Sequence, residues 1–182
     1  MKIYCIRHTK VDVPTGICYG QTDVELAATF EEEKQLILKK IEGIRFDQIY
    51  SSPLKRCRKL VEALAPNQQL VFDDRLKEFH FGKWENQCWD NVFNSEEGKE
   101  WFADYFNRPC PEGESCRDFL SRVKAFFDEL KQTNDQQICI VAHAGSIKVL
   151  KALVENQPIE DVFKTFNSEY GEIIVVETKT MG

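Results

Sequence analysis

Arg7-His8-Thr9 follows directly on the apolar run Ile3-Tyr4-Cys5-Ile6, and His143-Ala144-Gly145 follows a second such run, Ile138 to Ala142. Ser51-Ser52-Pro53-Leu54-Lys55-Arg56 closes a third. A neutral imidazole is a competent nucleophile near pH 7, because its ordinary pKa is about 6.5. Attack of His8 on phosphorus would give a phosphohistidine and divide one hard hydrolysis into two easier displacements. One ring nitrogen must then stay protonated on an acceptor such as a backbone carbonyl, leaving the other free. Arg7 and Arg56 each present paired donors matched to phosphate oxygens. His143 is the expected donor to the transferred phosphoryl oxygens as their charge develops.

A phosphoryl transfer also needs a proton for the departing alcohol. Glu78 is the expected source: it follows Arg75-Leu76-Lys77 and precedes Phe79-His80-Phe81-Gly82, an apolar setting of the kind that raises a carboxyl pKa. Glu85, in Gly82-Lys83-Trp84-Glu85, is the competing carboxylate. His80 is expected to pack or to face solvent. Taken singly, each of these residues has a plain structural reading. Arg56 alone, for instance, reads equally well as part of a solvated helix face with Lys55, Arg58 and Lys59. Their joint arrangement carries the argument.

The elements that would position them alternate. A strand over Ile3 to Ile6 is followed by a helix over Glu25 to Ile41, where Leu26, Phe30, Leu36, Ile37 and Ile41 recur at roughly helical spacing. A strand over Phe46 to Tyr50 leads to a helix that Pro53 would open, with Ser51 and Ser52 as caps, running to about Ala65 before Pro66-Asn67. Leu70 to Phe72 makes a brief strand. Residues 73–114, holding Trp84, Trp89 and Trp101, read as an insertion with short helices in one domain spanning residues 1–182. Ser115 caps a helix to about Lys131, turning Phe119, Val123, Phe126, Phe127 and Leu130 inward. A strand over Ile138 to Ala142, a helix from about Ser146 to Glu155 and a strand over Glu172 to Glu177 complete the pattern. Such alternation predicts an α/β fold, a mostly parallel sheet covered by helices on both faces. Ligands of these sheets bind beyond the carboxyl ends of the strands, where Arg7, His8, Arg56, Glu78 and His143 all fall.

Composition narrows the function classes. At 182 residues, 42% apolar and 12% aromatic, the chain suits one globular domain that buries roughly 70% of its unfolded surface. A net charge of -6 argues against general nucleic-acid binding, so an anionic substrate must be drawn by a local positive cluster. No run approaches the roughly 20 apolar residues of a membrane span. The first residues form a core strand and leave no room for a signal peptide, so a cytoplasmic location is expected. Seven cysteines are scattered without a C-x-x-C pair, and read as reduced thiols acting as small hydrophobes.

These motifs resemble those of the histidine phosphatase superfamily, the phosphoglycerate-mutase-like proteins. The matching pieces are R-H-T at 7–9, Y-G-Q-T-D at 19–23, S-S-P-L-K-R-C at 51–57, L-K-E-F-H-F-G-K-W-E at 76–85, P-E-G-E-S at 111–115 and A-H-A-G at 142–145. Within the superfamily, the Y-G-Q-T-D and F-G-K-W-E segments are most similar to the alpha-ribazole phosphatases of cobalamin nucleotide-loop assembly. The resemblance implies a three-layer α/β/α sandwich and no metal or organic cofactor. It implies that His8 is phosphorylated, that Arg7, Arg56 and His143 bind phosphate, and that Glu78 donates the proton. It points to Tyr19, Gln21, Thr22 and Trp84 as substrate-binding residues, with a small phosphorylated molecule as substrate. Trp84, Trp89, Trp101 and Tyr105 could stack on an aromatic base or simply pack the insertion onto the core, and Arg108 could meet a second anion or stay solvated. Thr9 and Ala144 stand where the family usually has glycine. Pro14-Thr15-Gly16 occupies the stretch where mutases usually carry an asparagine.

Overall fold

A computed structural model of the chain describes residues 1–178. Its centre is a five-stranded sheet of β1 (Lys2–Arg7), β2 (Gln48–Ser51), β3 (Leu70–Phe72), β4 (Gln137–Ala142) and β5 (Ile173–Glu177), in the order β3-β2-β4-β1-β5. β4 runs parallel between β1 and β2, β3 runs parallel at one edge, and β5 closes the other edge antiparallel to β1.

The alternation of side chains on the central strands explains the three layers. Ile138, Ile140 and Ala142 of β4, with Ile3 and Cys5 of β1, face α5 (Cys116–Leu130) and α6 (Ala144–Glu155). Cys139 and Val141 of β4, with Ile6 of β1 and Ile49 of β2, face α1 (Phe30–Ile41) and α2 (Lys55–Leu64). With both faces covered, the interior residues of β1 and β4, Ile3 to Ile6 and Ile138 to Ala142, run apolar without alternation, as a sandwiched parallel sheet requires. Phe119, Val123, Phe126, Phe127 and Leu130 are all buried, and Ser115 and Asp118 form a reciprocal capping box at the start of α5.

Two helix starts and one additional helix differ most from the sequence reading. The first helix begins at Phe30, because residues 10–12 and 25–27 pair as extended chain: Asp12 N–H donates to the Glu25 carbonyl at 2.9 Å and Ala27 N–H to that of Lys10 at 3.0 Å. The second helix begins at Lys55, two residues beyond Pro53, and its cap comes from across the chain: Asp23 Oδ1 accepts from Lys55 N–H at 2.7 Å. A helix not anticipated, α7 (Ile159–Thr165), follows α6. Residues 73–114 form two 3-10 turns (Asp74–Leu76 and Gly82–Trp84) and two short helices, α3 (Trp89–Asn94) and α4 (Glu96–Ala103). All seven cysteines are free thiols and six are buried. Among the described residues no helix is long and apolar enough to cross a membrane.

Candidate active site

Strand register assembles the site. Arg7 pairs with Ala142 and Ser51 with Val141, so β1, β2 and β4 end level. The ladder continues one bond further, with His8 N–H donating to the Ala142 carbonyl at 3.1 Å and Ser52 N–H to that of Val141 at 3.0 Å. His8, Ser52 and His143 therefore leave the sheet side by side, and the rings of His8 and His143 meet edge-on with centroids 5.2 Å apart.

The tautomer of His8 follows from its partner. Nδ1 lies 2.8 Å from the Thr9 carbonyl, which can only accept, so Nδ1 carries the proton and Nε2 holds a free lone pair. His8 is 2% exposed; burial first, and then the charge of Arg56, pushes its pKa well below 6.5. The imidazole is thus neutral at physiological pH. Thr9 serves through its backbone carbonyl, so the departure from glycine at this position leaves that contact intact.

Arg56 is fully buried and spends its donors on three elements. Its Nε–H donates to His143 Nδ1 at 3.1 Å, and its terminal nitrogens to the Thr22 carbonyl at 3.0 Å and the Gly20 carbonyl at 2.6 Å. His143 Nδ1 is therefore an acceptor, and Nε2–H is left to donate to Ser52 Oγ at 2.8 Å. Burial, then Arg56, lowers the His143 pKa well below 6.5 as well. His143 is the expected donor to phosphoryl oxygens; here its Nδ1 accepts from Arg56 and its Nε2–H donates to Ser52. Ser52, expected as a helix cap, is its partner. Arg7 donates to the Ser168 carbonyl and lies 3.9 Å from the ring centroid of Tyr170, whose hydroxyl meets that of Tyr19 at 3.0 Å. Tyr170 and Ser168 belong to a loop the motifs did not mark.

Glu78 lies at the mouth of this cluster. Its Oε1 accepts from Phe79 N–H and its Oε2 from Gly145 N–H, each at 3.0 Å. Arg122 fixes the segment from below, donating to the carbonyls of Arg75, Lys77 and Glu78 and pairing in a fork with Glu114. Glu85, the competing carboxylate, is committed elsewhere: it accepts from the N–H groups of Gln21, Thr22 and Phe81 and from the Thr22 hydroxyl.

A cavity of about 350 Å³ opens on Arg7, His8 and Glu78, and its walls are aromatic: Phe79, Phe81, Trp89, Trp101, Tyr105 and Phe119. Tyr19 lines it. Gln21 turns instead to the Glu78 carbonyl, at 3.0 Å, and Thr22 to Glu85. Trp84 is displaced from its expected role: it is 3% exposed and packs edge-on against Trp101, with centroids 5.5 Å apart. Arg108 pairs with Glu100 at the surface at 2.6 Å. His80 is half-buried, and its N–H donates to Glu114. Lys148 lines the cavity and had no signal in the motifs beyond its place in the helix after His143.

A sandwiched parallel sheet thus gathers at its strand ends an imidazole with one unprotonated ring nitrogen, two arginines and a carboxyl. The model of the histidine phosphatase superfamily (branch 1) matches residues 3–182, and the chain belongs to that family of phosphatases. Phosphoserine phosphatase 1 of Hydrogenobacter thermophilus is 26% identical over 156 residues, covering 82% of this chain and 74% of the relative. Adenosylcobalamin/alpha-ribazole phosphatase of Escherichia coli is 26% identical over 167 residues, 88% of this chain and 82% of the relative. The alpha-ribazole phosphatase structure from Shigella flexneri superposes with a TM-score of 0.91 at 23% identity, covering 99% and 92% of the two chains. The fold is the three-layer α/β/α sandwich of the phosphoglycerate-mutase-like proteins.

Proposed function

We propose that the chain is a phosphomonoesterase in which His8 Nε2 attacks phosphorus, with alpha-ribazole 5′-phosphate as its substrate in cobalamin nucleotide-loop assembly. The observation that carries the chemistry is His8 itself, with Nδ1 tied to Thr9 and Nε2 unprotonated, in one cavity with Arg7 and Glu78. In the first step the N–P bond forms as the bond from phosphorus to the alcohol oxygen breaks, and Glu78 gives that oxygen a proton. In the second, Glu78 takes a proton from water, the water oxygen bonds to phosphorus, and the N–P bond breaks to release phosphate. Arg7 and Arg56 hold the phosphoryl oxygens, and His143 stabilises their growing charge with Arg56, whose guanidinium it orients. Nucleophile and acid are both side chains, so the reaction is expected to run without metal or organic cofactor.

The aromatic walls support a flat leaving group, and residues 73–114 supply most of them as a cover over the cavity. Tyr19 is the substrate-binding residue that lines it; Gln21 and Thr22 act by bracing the loop around Arg56. The net charge of -6 supports a small molecule over nucleic acid, and the expected place of action is the cytoplasm. The alternative is a broad sugar-phosphate phosphatase or a mutase-type phosphotransferase; similarity to a probable phosphoglycerate mutase supports the latter, and dependence on a bisphosphorylated primer would mark it. The test is phosphate release in EDTA from alpha-ribazole 5′-phosphate, para-nitrophenyl phosphate and 3-phosphoglycerate, with His8→Ala as control. The expected result is a kcat/KM for the ribazole ester well above the other two, abolished in the variant. Comparable slow release from all three would remove the substrate and keep the chemistry. No release from any would remove both.

A further inference from the structure

We infer that Lys148 is a specificity-determining residue that binds an oxygen acceptor on the leaving alcohol, close to the ester bond. The inference rests on the phosphatase reading of the same site and adds the recognition of the part that departs.

Lys148 sits in the second turn of α6 and lines the cavity together with Arg7, His8 and Glu78. It is half-buried, with its Nζ 5.5 Å from the ring centroid of Phe163, another wall residue. Among the described residues its ammonium makes no hydrogen bond and no ion pair, although the equally half-buried Lys34, Lys55 and Lys151 all find carboxylates. A half-buried ammonium among aromatic rings forfeits hydration, and a protein partner would ordinarily repay that cost. Burial lowers its pKa accordingly, with Glu78 opposing the shift.

Lys148 shares the cavity with Glu78, the group assigned to protonate the leaving oxygen, and among the described residues its three donors have no protein partner, so they are available to the alcohol side of the ester. Arg7 and Arg56 already serve the phosphoryl side. The acceptor that fits is an oxygen a few bonds from the ester oxygen, either a ribosyl hydroxyl or a carboxylate. A plain aryl ester offers neither, although the aromatic walls would accept its ring.

The experiment compares kcat/KM for alpha-ribazole 5′-phosphate, phosphoserine and phenyl phosphate in wild type, Lys148→Met and Lys148→Arg. The expected result is that Lys148→Met lowers the preference for one of the oxygen-bearing substrates over phenyl phosphate by roughly 10- to 100-fold, the range for loss of a hydrogen bond to a charged group. Lys148→Arg should restore part of it. A fall confined to the ribazole ester identifies a hydroxyl as the acceptor; one confined to phosphoserine identifies a carboxylate. A uniform loss on all three substrates, or unchanged ratios, would overturn the inference, since a merely structural lysine cannot tell one leaving group from another. Failure of the underlying phosphatase reading is distinguishable, because wild type would then not hydrolyse phenyl phosphate either, and both proposals would fall.

Discussion

The backbone N–H of Gly145 donates to Glu78 Oε2 at 3.0 Å, and a Cβ placed on Gly145 would stand 2.2 Å from Glu78 Oε1. The helix that follows His143 thus both binds the carboxyl and requires a residue without a side chain to admit it. The family-like A-H-A-G segment tolerates alanine at 144 but has no room for it at 145.

Gly145→Ala should therefore displace Glu78 and reduce catalysis without touching the nucleophile. For an alkyl phosphate, whose oxygen must be protonated to leave, kcat is expected to fall roughly 100-fold, the usual worth of a general acid. For para-nitrophenyl phosphate, whose leaving group needs little protonation, the loss should be much smaller. Parallel kcat measurements on the two esters check this, and equal losses would rule out an effect through Glu78.

Glu85 holds the loop that holds Arg56. Its oxygens accept from Gln21 N–H at 2.9 Å and Thr22 N–H at 2.6 Å, and that loop presents the Gly20 and Thr22 carbonyls to the guanidinium. Removing the acceptor leaves part-buried donors unpaired, at up to about 1–3 kcal/mol each. Glu85→Ala should lower stability in urea titrations. Inhibition by inorganic phosphate should also weaken by roughly 10-fold, as for a lost charge-assisted contact. A destabilised variant with unchanged phosphate inhibition would show that the loop does not govern Arg56.

Buried neutral histidines give stability an acid limb. In His8 and His143 burial, then Arg56, depresses the pKa well below 6.5, the value each regains on unfolding. The unfolded chain therefore binds more protons as pH falls through 6.5. Their contribution is intact above that pH and is lost progressively toward the depressed folded values, by up to about 1.4 kcal/mol per pH unit for each histidine. Denaturant titrations at pH 7.5 and 5.0 should show a larger acid loss for wild type than for His8→Asn. The same loss in both would contradict a neutral buried His8.

The thiols should be unreactive in the folded protein. Burial pushes Cys5, Cys18, Cys57 and Cys110 up to about 12 and Cys116 to about 11, and raises Cys139 also. Thiolate is the reactive form, so alkylation at pH 7.5 should label Cys88, the one half-buried cysteine, well ahead of the rest. Mass spectrometry before and after unfolding reads this directly. Early labelling of Cys57, which lies 3.4 Å from His143 Nε2, would mean that the site opens readily.

Local chemistry was enough to locate the strands, the capping box of α5 and the three strand-end motifs, because apolar runs, caps and breakers act over a few neighbouring residues. His8, Arg56, Glu78 and His143 could be named on residue type and position alone. Even the tautomer of His8 was legible in outline, since a strand end offers backbone carbonyls. Other features depend on segments far apart in the chain. The insertion of β4 between β1 and β2 sets Ser52 beside His143 across 91 residues, and no local pattern encodes that pairing. Asp23 capping α2, Glu85 serving the loop at 20–22 and Trp84 turning into the core against Trp101 follow from the same long-range packing. Periodicity tells which residues are apolar or polar, but only the packed structure decides which neighbour each side chain meets, and so the supports of the site became visible only there.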